Sequence, residues 1–154
     1  MGDWGVTPLE HAIELENFEV IESLIKYGAD VHFGVNDFLL NIAVKTSRID
    51  ILNLLIDSGA DINLKRECGH TALMVAACCG SIDVVRFLVE RGADVNAVRE
   101  DGQSALTCAA LFGKADVFDY LLTLVSSAMK QTLINVSAEG NFIPISKHSD
   151  EPLF

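Results

Sequence analysis

Proline is scarce in this 154-residue chain, with three residues, and so are aromatics, at 7% with a single tryptophan. Few prolines leave room for uninterrupted helices, since proline removes an amide donor and breaks a helix interior. The apolar runs are only a few residues long, far below the ~20 a helix needs to cross a bilayer, so no membrane partner is expected. Basic residues are also few, eleven against twenty-two acids, for a net charge of −11. Phosphate backbones repel such a chain, which argues against a nucleic-acid partner and in favour of a basic protein partner. No basic start followed by an apolar stretch stands at Met1, so the sequence predicts a cytoplasmic address. There Cys68, Cys78, Cys79 and Cys108 are expected to stay as thiols. What is plentiful is apolar content, at 50%, which excludes disorder for most of the chain and suits a single domain.

That apolar content repeats. GADVH at 28–32 recurs as GADIN at 59–63 and GADVN at 92–96. Ahead of each lies an apolar quartet: Val20, Ile21, Leu24, Ile25; Ile51, Leu52, Leu55, Ile56; Val84, Val85, Leu88, Val89. A fourth follows as Val117, Phe118, Leu121, Leu122. The steps are 31, 33 and 33 residues, and Leu9, Leu40, Leu73, Leu106 and Ala12, Ala43, Ala76, Ala109 keep the same steps. The i, i+1, i+4, i+5 spacing gives a helix with one buried stripe, and Gly28, Gly59 and Gly92 stand where such a helix ends. The Leu-to-Ala segments form a second, shorter helix per unit. One helix pair cannot bury both its apolar faces, so the units must stack.

The ~33-residue period, with T-P-L at 7–9, T-A-L at 71–73 and the GAD closures, resembles the ankyrin repeat. The resemblance implies an all-α solenoid of four helix-pair repeats with β-hairpin-like fingers. The repeats would occupy residues 1–125 (about 1–33, 34–66, 67–99 and 100–125). A C-terminal capping helix over 126–140 and an extended tail over 141–154 would follow. Three departures stand out. Glu10, Asn41, Met74 and Thr107 replace the expected histidine, which should remove its hydrogen bonds. The second finger is two residues short. The fourth unit has Val125-Ser126-Ser127 in place of a GAD closure.

Residues 1–33 carry seven acids against Lys26, more than half the net charge. Such an excess steers a basic partner toward the N-terminal end. Four residues of the third unit, Cys68, His70 and the Cys78-Cys79 pair, invite a metal reading. Zinc ligand pairs, however, want two to four intervening residues, and adjacent helical cysteines point ~100° apart. No metal or other cofactor is therefore expected. His11 has no Ser or Cys partner at a recognisable spacing, so the chain is expected to be no enzyme. An alternative is a small thiol-based redox sensor or metal-binding protein using Cys68, Cys78 and Cys79. That would need a cation beside the thiol, yet no Lys or Arg lies within six residues of Cys78 or Cys79.

The resemblance places partner contacts on the concave face. At the fingers these are Asp3, Trp4, Val6, Glu67, Cys68, His70, Glu100, Asp101 and Gln103. At the inner-helix ends they are Glu14, Leu15, Cys78, Cys79, Leu111 and Phe112. The leading expectation is a non-catalytic protein-binding module, a monomer when free, acting as an inhibitor or adaptor. Its sharper form is an immunity-type inhibitor of a basic protein.

Overall fold

The computed structural model describes residues 6–32, 39–66, 68–128 and 130–131. Among these residues eight helices run in four pairs: α1 (Pro8–Glu14) with α2 (Phe18–Lys26), α3 (Leu39–Thr46) with α4 (Ile49–Asp57), α5 (Ala72–Cys79) with α6 (Ile82–Glu90), and α7 (Ala105–Leu111) with α8 (Ala115–Leu124). The odd-numbered inner helices pack in a row, α1 on α3, α3 on α5 and α5 on α7, with the outer helices behind them. Small side chains set that spacing. Ala43, Ala76 and Ala109 are completely buried, which lets neighbouring inner helices approach closely.

Four letters of the GAD(V/I)N closure have a physical task. Gly28, Gly59 and Gly92 sit at φ of 91°, 101° and 96°, the left-handed geometry that ends a helix. The next amide, of Ala29, Ala60 or Ala93, reaches back five residues to Leu24, Leu55 or Leu88. The Asp side chain then accepts from the amide two residues on, at 2.8–2.9 Å in Asp30, Asp61 and Asp94. Finally the Asn bridges to the next unit. The Asn63 Oδ1 accepts from the Asp94 amide at 2.8 Å, its Nδ2 donates to the Gly92 carbonyl at 3.2 Å, and the Asn96 Oδ1 accepts from the Ser126 amide at 2.9 Å.

The inner helices start on hydroxyl caps, with Thr7, Thr71 and Ser104 accepting from the amide three residues on. The expectation of lost hydrogen bonds at the replaced histidine needs correction here. The Glu10 carboxylate accepts from the Thr7 amide, and the Thr107 hydroxyl from the Ser104 amide at 2.7 Å. Both complete a reciprocal cap that Met74 has no side-chain acceptor to make.

The quartets supply the core, with one exception. Ile51, Val84 and Val117 are buried, whereas the equivalent Val20 is 43% exposed. Of the expected capping helix, residues 127, 128, 130 and 131 are helical; Thr132 onward lies outside the described residues, as does the shortened second finger over 33–38.

Candidate interaction surface

Two adjacent fingers, residues 66–70 and 99–103, are built alike. The Arg66 amide donates to the His70 carbonyl at 3.0 Å and the Arg99 amide to the Gln103 carbonyl at 2.8 Å. Gly69 and Gly102, at φ of 80° and 82°, turn each tip, and Val98 pairs antiparallel with Ser104 at the base of the later finger. The β-hairpin character of the fingers is thus confined to this single bridge among the described residues. A cleft of about 480 Å³ lies between the two fingers, lined by Lys65, Arg66, Cys68, Gly69, Val98, Arg99, Glu100 and Asp101.

Arg99 organises this region. Its Nη1 donates to the Gln103 Oε1 at 3.0 Å and lies 3.0 Å from the His70 Nε2, while its Nη2 is 3.0 Å from the Asp101 Oδ2. A guanidinium only donates, so the His70 Nε2 must accept, and the neutral imidazole carries its proton on Nδ1. That Nδ1 lies 3.0 Å from the Cys68 Sγ and donates to it. Cys68, His70, Arg99 and Asp101 therefore form one continuous polar array across two repeats.

The predicted contact residues divide by position. Cys68, Glu100 and Asp101 are exposed at the finger tips, and His70 and Gln103 are half-buried in the array. Along the inner-helix ends Glu14 and Cys79 are exposed, and Leu15, Leu111 and Phe112 are 65%, 54% and 59% exposed. Val6 is 43% exposed ahead of α1. Asp3, Trp4 and Glu67 lie outside the described residues. Cys78 does not join Cys79 at the surface. It is half-buried, and Cys108 on α7 and the Arg99 charge, against the opposing effect of burial, draw its thiol down to about 7. His11, exposed, faces Glu14 at 3.7 Å.

Arg99 and Cys108 are the residues that sequence reasoning passed over. The usable signal for Arg99 was its register, since Arg66 and Arg99 occupy the same place in successive units. Arg99 also supplies the cation that local sequence denies to Cys78, from 21 residues away. Among the described residues no three His, Cys, Asp or Glu side chains converge as a metal ion would require. No helix among them is long and apolar enough to cross a membrane.

Comparison with known families matches residues 40–135 to ankyrin repeats in three copies and residues 4–33 to a single ankyrin repeat. The chain belongs to the ankyrin-repeat family, and that membership implies a protein–protein interaction module. Similar curated proteins include the human 2-5A-dependent ribonuclease, 36% identical over 73 residues, which are 46% of this chain and 10% of that protein. The human transient receptor potential cation channel subfamily A member 1 is 32% identical over 79 residues, 49% of this chain and 7% of the channel. The mouse ankyrin repeat and SOCS box protein 11 is 35% identical over 71 residues, 46% and 22% of the two chains. The chain thus spans less than a quarter of each of these relatives.

Proposed function

We propose that the chain is a non-catalytic binding module that holds a basic protein partner along its finger tips and inner-helix ends. It would act by occupying or masking that partner, as a small inhibitor or adaptor, and in the sharpest form as an immunity-type inhibitor. The observation that carries this reading is the exposure of Leu111 and Phe112, 54% and 59%, at the end of the last inner helix. Large apolar side chains left in water beside polar neighbours are the usual anchors of an interface. Exposed Glu100 and Asp101 nearby add the negative charge that speeds encounter with a cationic surface.

The immobilised chain, offered a cell lysate at low and at high salt, tests this. Phe112→Ala should lose the retained partner at both salt concentrations, through faster dissociation. Glu100→Lys should bind more slowly, with the deficit shrinking as salt rises. Glu100 suits this test better than Asp101, whose carboxylate also holds Arg99. Glu22→Lys, on the exposed side of α2, is the control. Loss of the partner in Glu22→Lys together with full retention in Phe112→Ala would move the site to the outer helices and defeat the reading.

A further inference from the structure

We propose that Cys68 is a site of covalent modification by thiol–disulfide exchange. The cleft between the fingers 66–70 and 99–103 receives a small disulfide rich in carboxylates, and His70 stabilises the attacking sulfur. Glutathione disulfide represents that chemical class. Partner binding plays no part in the exchange.

Three observations meet at this place. First, Cys68 is exposed and its Sγ lies 3.0 Å from the His70 Nδ1. The Arg99 Nη1, 3.0 Å from the His70 Nε2, can only donate, so the ring proton sits on Nδ1 and is given to the sulfur. A thiolate is what attacks a disulfide, and a hydrogen bond to sulfur is strongest when the sulfur carries that charge. The same tautomer argues against a hydrolase-like pair, since the His70 Nδ1 already holds the proton that a general base would have to accept.

Second, the sulfur borders a space that suits a ligand. The cleft measures about 480 Å³, inside the range of about 300–1,000 Å³ that holds small molecules. Exposure alone does not distinguish Cys68, because Cys79 is exposed too; Cys79 lies at the end of α5, outside this cleft.

Third, the cleft gathers cations on a chain of net charge −11. Lys65, Arg66 and Arg99 line it against Glu100 and Asp101, and the Asp101 Oδ2 is engaged with the Arg99 Nη2 at 3.0 Å. The Lys65 Nζ donates to the Val98 carbonyl at 3.2 Å, which uses one of its three protons. The Arg99 Nε is buried with no hydrogen-bond partner, a costly state for a donor. Carboxylates are the acceptors that guanidinium and ammonium groups suit best.

In the exchange Cys68 gives its proton to water, and its sulfur attacks one sulfur of the disulfide. A new S–S bond forms as the old one breaks, and the departing thiolate takes up a proton. Cys68 is oxidised to a mixed disulfide while the other half of the reagent is reduced to a free thiol, so no further oxidant is needed.

The test treats the full chain at neutral pH with glutathione disulfide and locates the adducts by peptide mass mapping. Cys68 should react about tenfold faster than Cys79, the gain expected from one hydrogen bond to a charged group. With neutral hydroxyethyl disulfide that preference should be smaller. His70→Leu should slow Cys68 about tenfold, an unchanged Cys79 rate reporting an intact fold. Lys65→Gln combined with Arg66→Gln should slow the reaction of Cys68 with glutathione disulfide several-fold and leave that with hydroxyethyl disulfide alone, and added salt should shrink the difference. Adducts mainly on Cys79, a Cys68 preference no greater for the charged reagent than for the neutral one, or a Cys68 rate in His70→Leu equal to wild type would each overturn the inference. So would a Lys65 and Arg66 double variant that slows both reagents alike or neither.

Discussion

Between its inner and outer helices every unit passes through one residue of left-handed backbone, at positions 16, 47, 80 and 113. Two of the four are glycine, Gly80 and Gly113, at φ of 80° and 66°. The other two, Glu16 at 54° and Ser47 at 58°, accept a conformation that costs an L-residue roughly 1–2 kcal/mol. Ser47→Gly should therefore raise the urea midpoint, by about 1 kcal/mol in stability, part of the relief being offset by a freer unfolded chain. Glu16 is a poorer site for the same change, because its carboxylate lies 3.5 Å from Arg48 of the next unit. Gly80→Ala should act in the opposite direction, losing about 1–2 kcal/mol. An added Cβ there would also sit 2.5 Å from the Lys114 Cδ, which must swing aside. The same urea titration reads both variants, and equal midpoints for all three chains would show that these turns carry no strain.

Helices and closing loops are where the units are joined. On the outer side Arg91 of the third unit donates to Asn53 and pairs with Asp57 of the second, and Arg86 stands 5.4 Å over the Tyr120 ring of the fourth. On the loop side Asn63 makes the two bonds to Gly92 and Asp94 described above. Asn63→Ala should cost about 1 kcal/mol, visible as a lower melting temperature; the freed groups are exposed and water replaces the amide. His32 takes the corresponding place in the first unit. These elements were legible in the sequence to very different degrees. The apolar quartets and the glycines reported helices, pairing and stacking, because each is a local pattern repeated in phase. The reciprocal caps of Glu10 and Thr107 were not visible, since a residue-for-residue expectation of histidine hid the fact that any short acceptor three residues inside the helix can bond back. The coupling of Cys78 to Cys108 and Arg99 was hidden for another reason. Those residues lie 30 and 21 positions along the chain, on the next unit and at its boundary, and what meets across a seam depends on how the units are offset.

For the whole molecule, the ends differ from the middle. Val20 stays 43% exposed on the first unit, while Leu124 is 40% exposed on the last outer helix. We propose that the segment from 126 to 140 covers this last face, starting from the Ser126 amide bonded to Asn96. Deletion of residues 127–154 should then lower stability by about 2 kcal/mol, the value of re-exposing one large apolar side chain. An unchanged melting curve would show that the segment is no cap.

Every inter-unit bond described above joins residues about one repeat apart, so each repeat is held by its immediate neighbours. Among the described residues no bond clasps distant repeats together, so a pull along the stack loads the units in series. It should lengthen by peeling off one repeat after another rather than by a single rupture, each released stretch of 33 residues adding roughly 110 Å of extended chain. In mechanical terms the molecule is a short, soft spring.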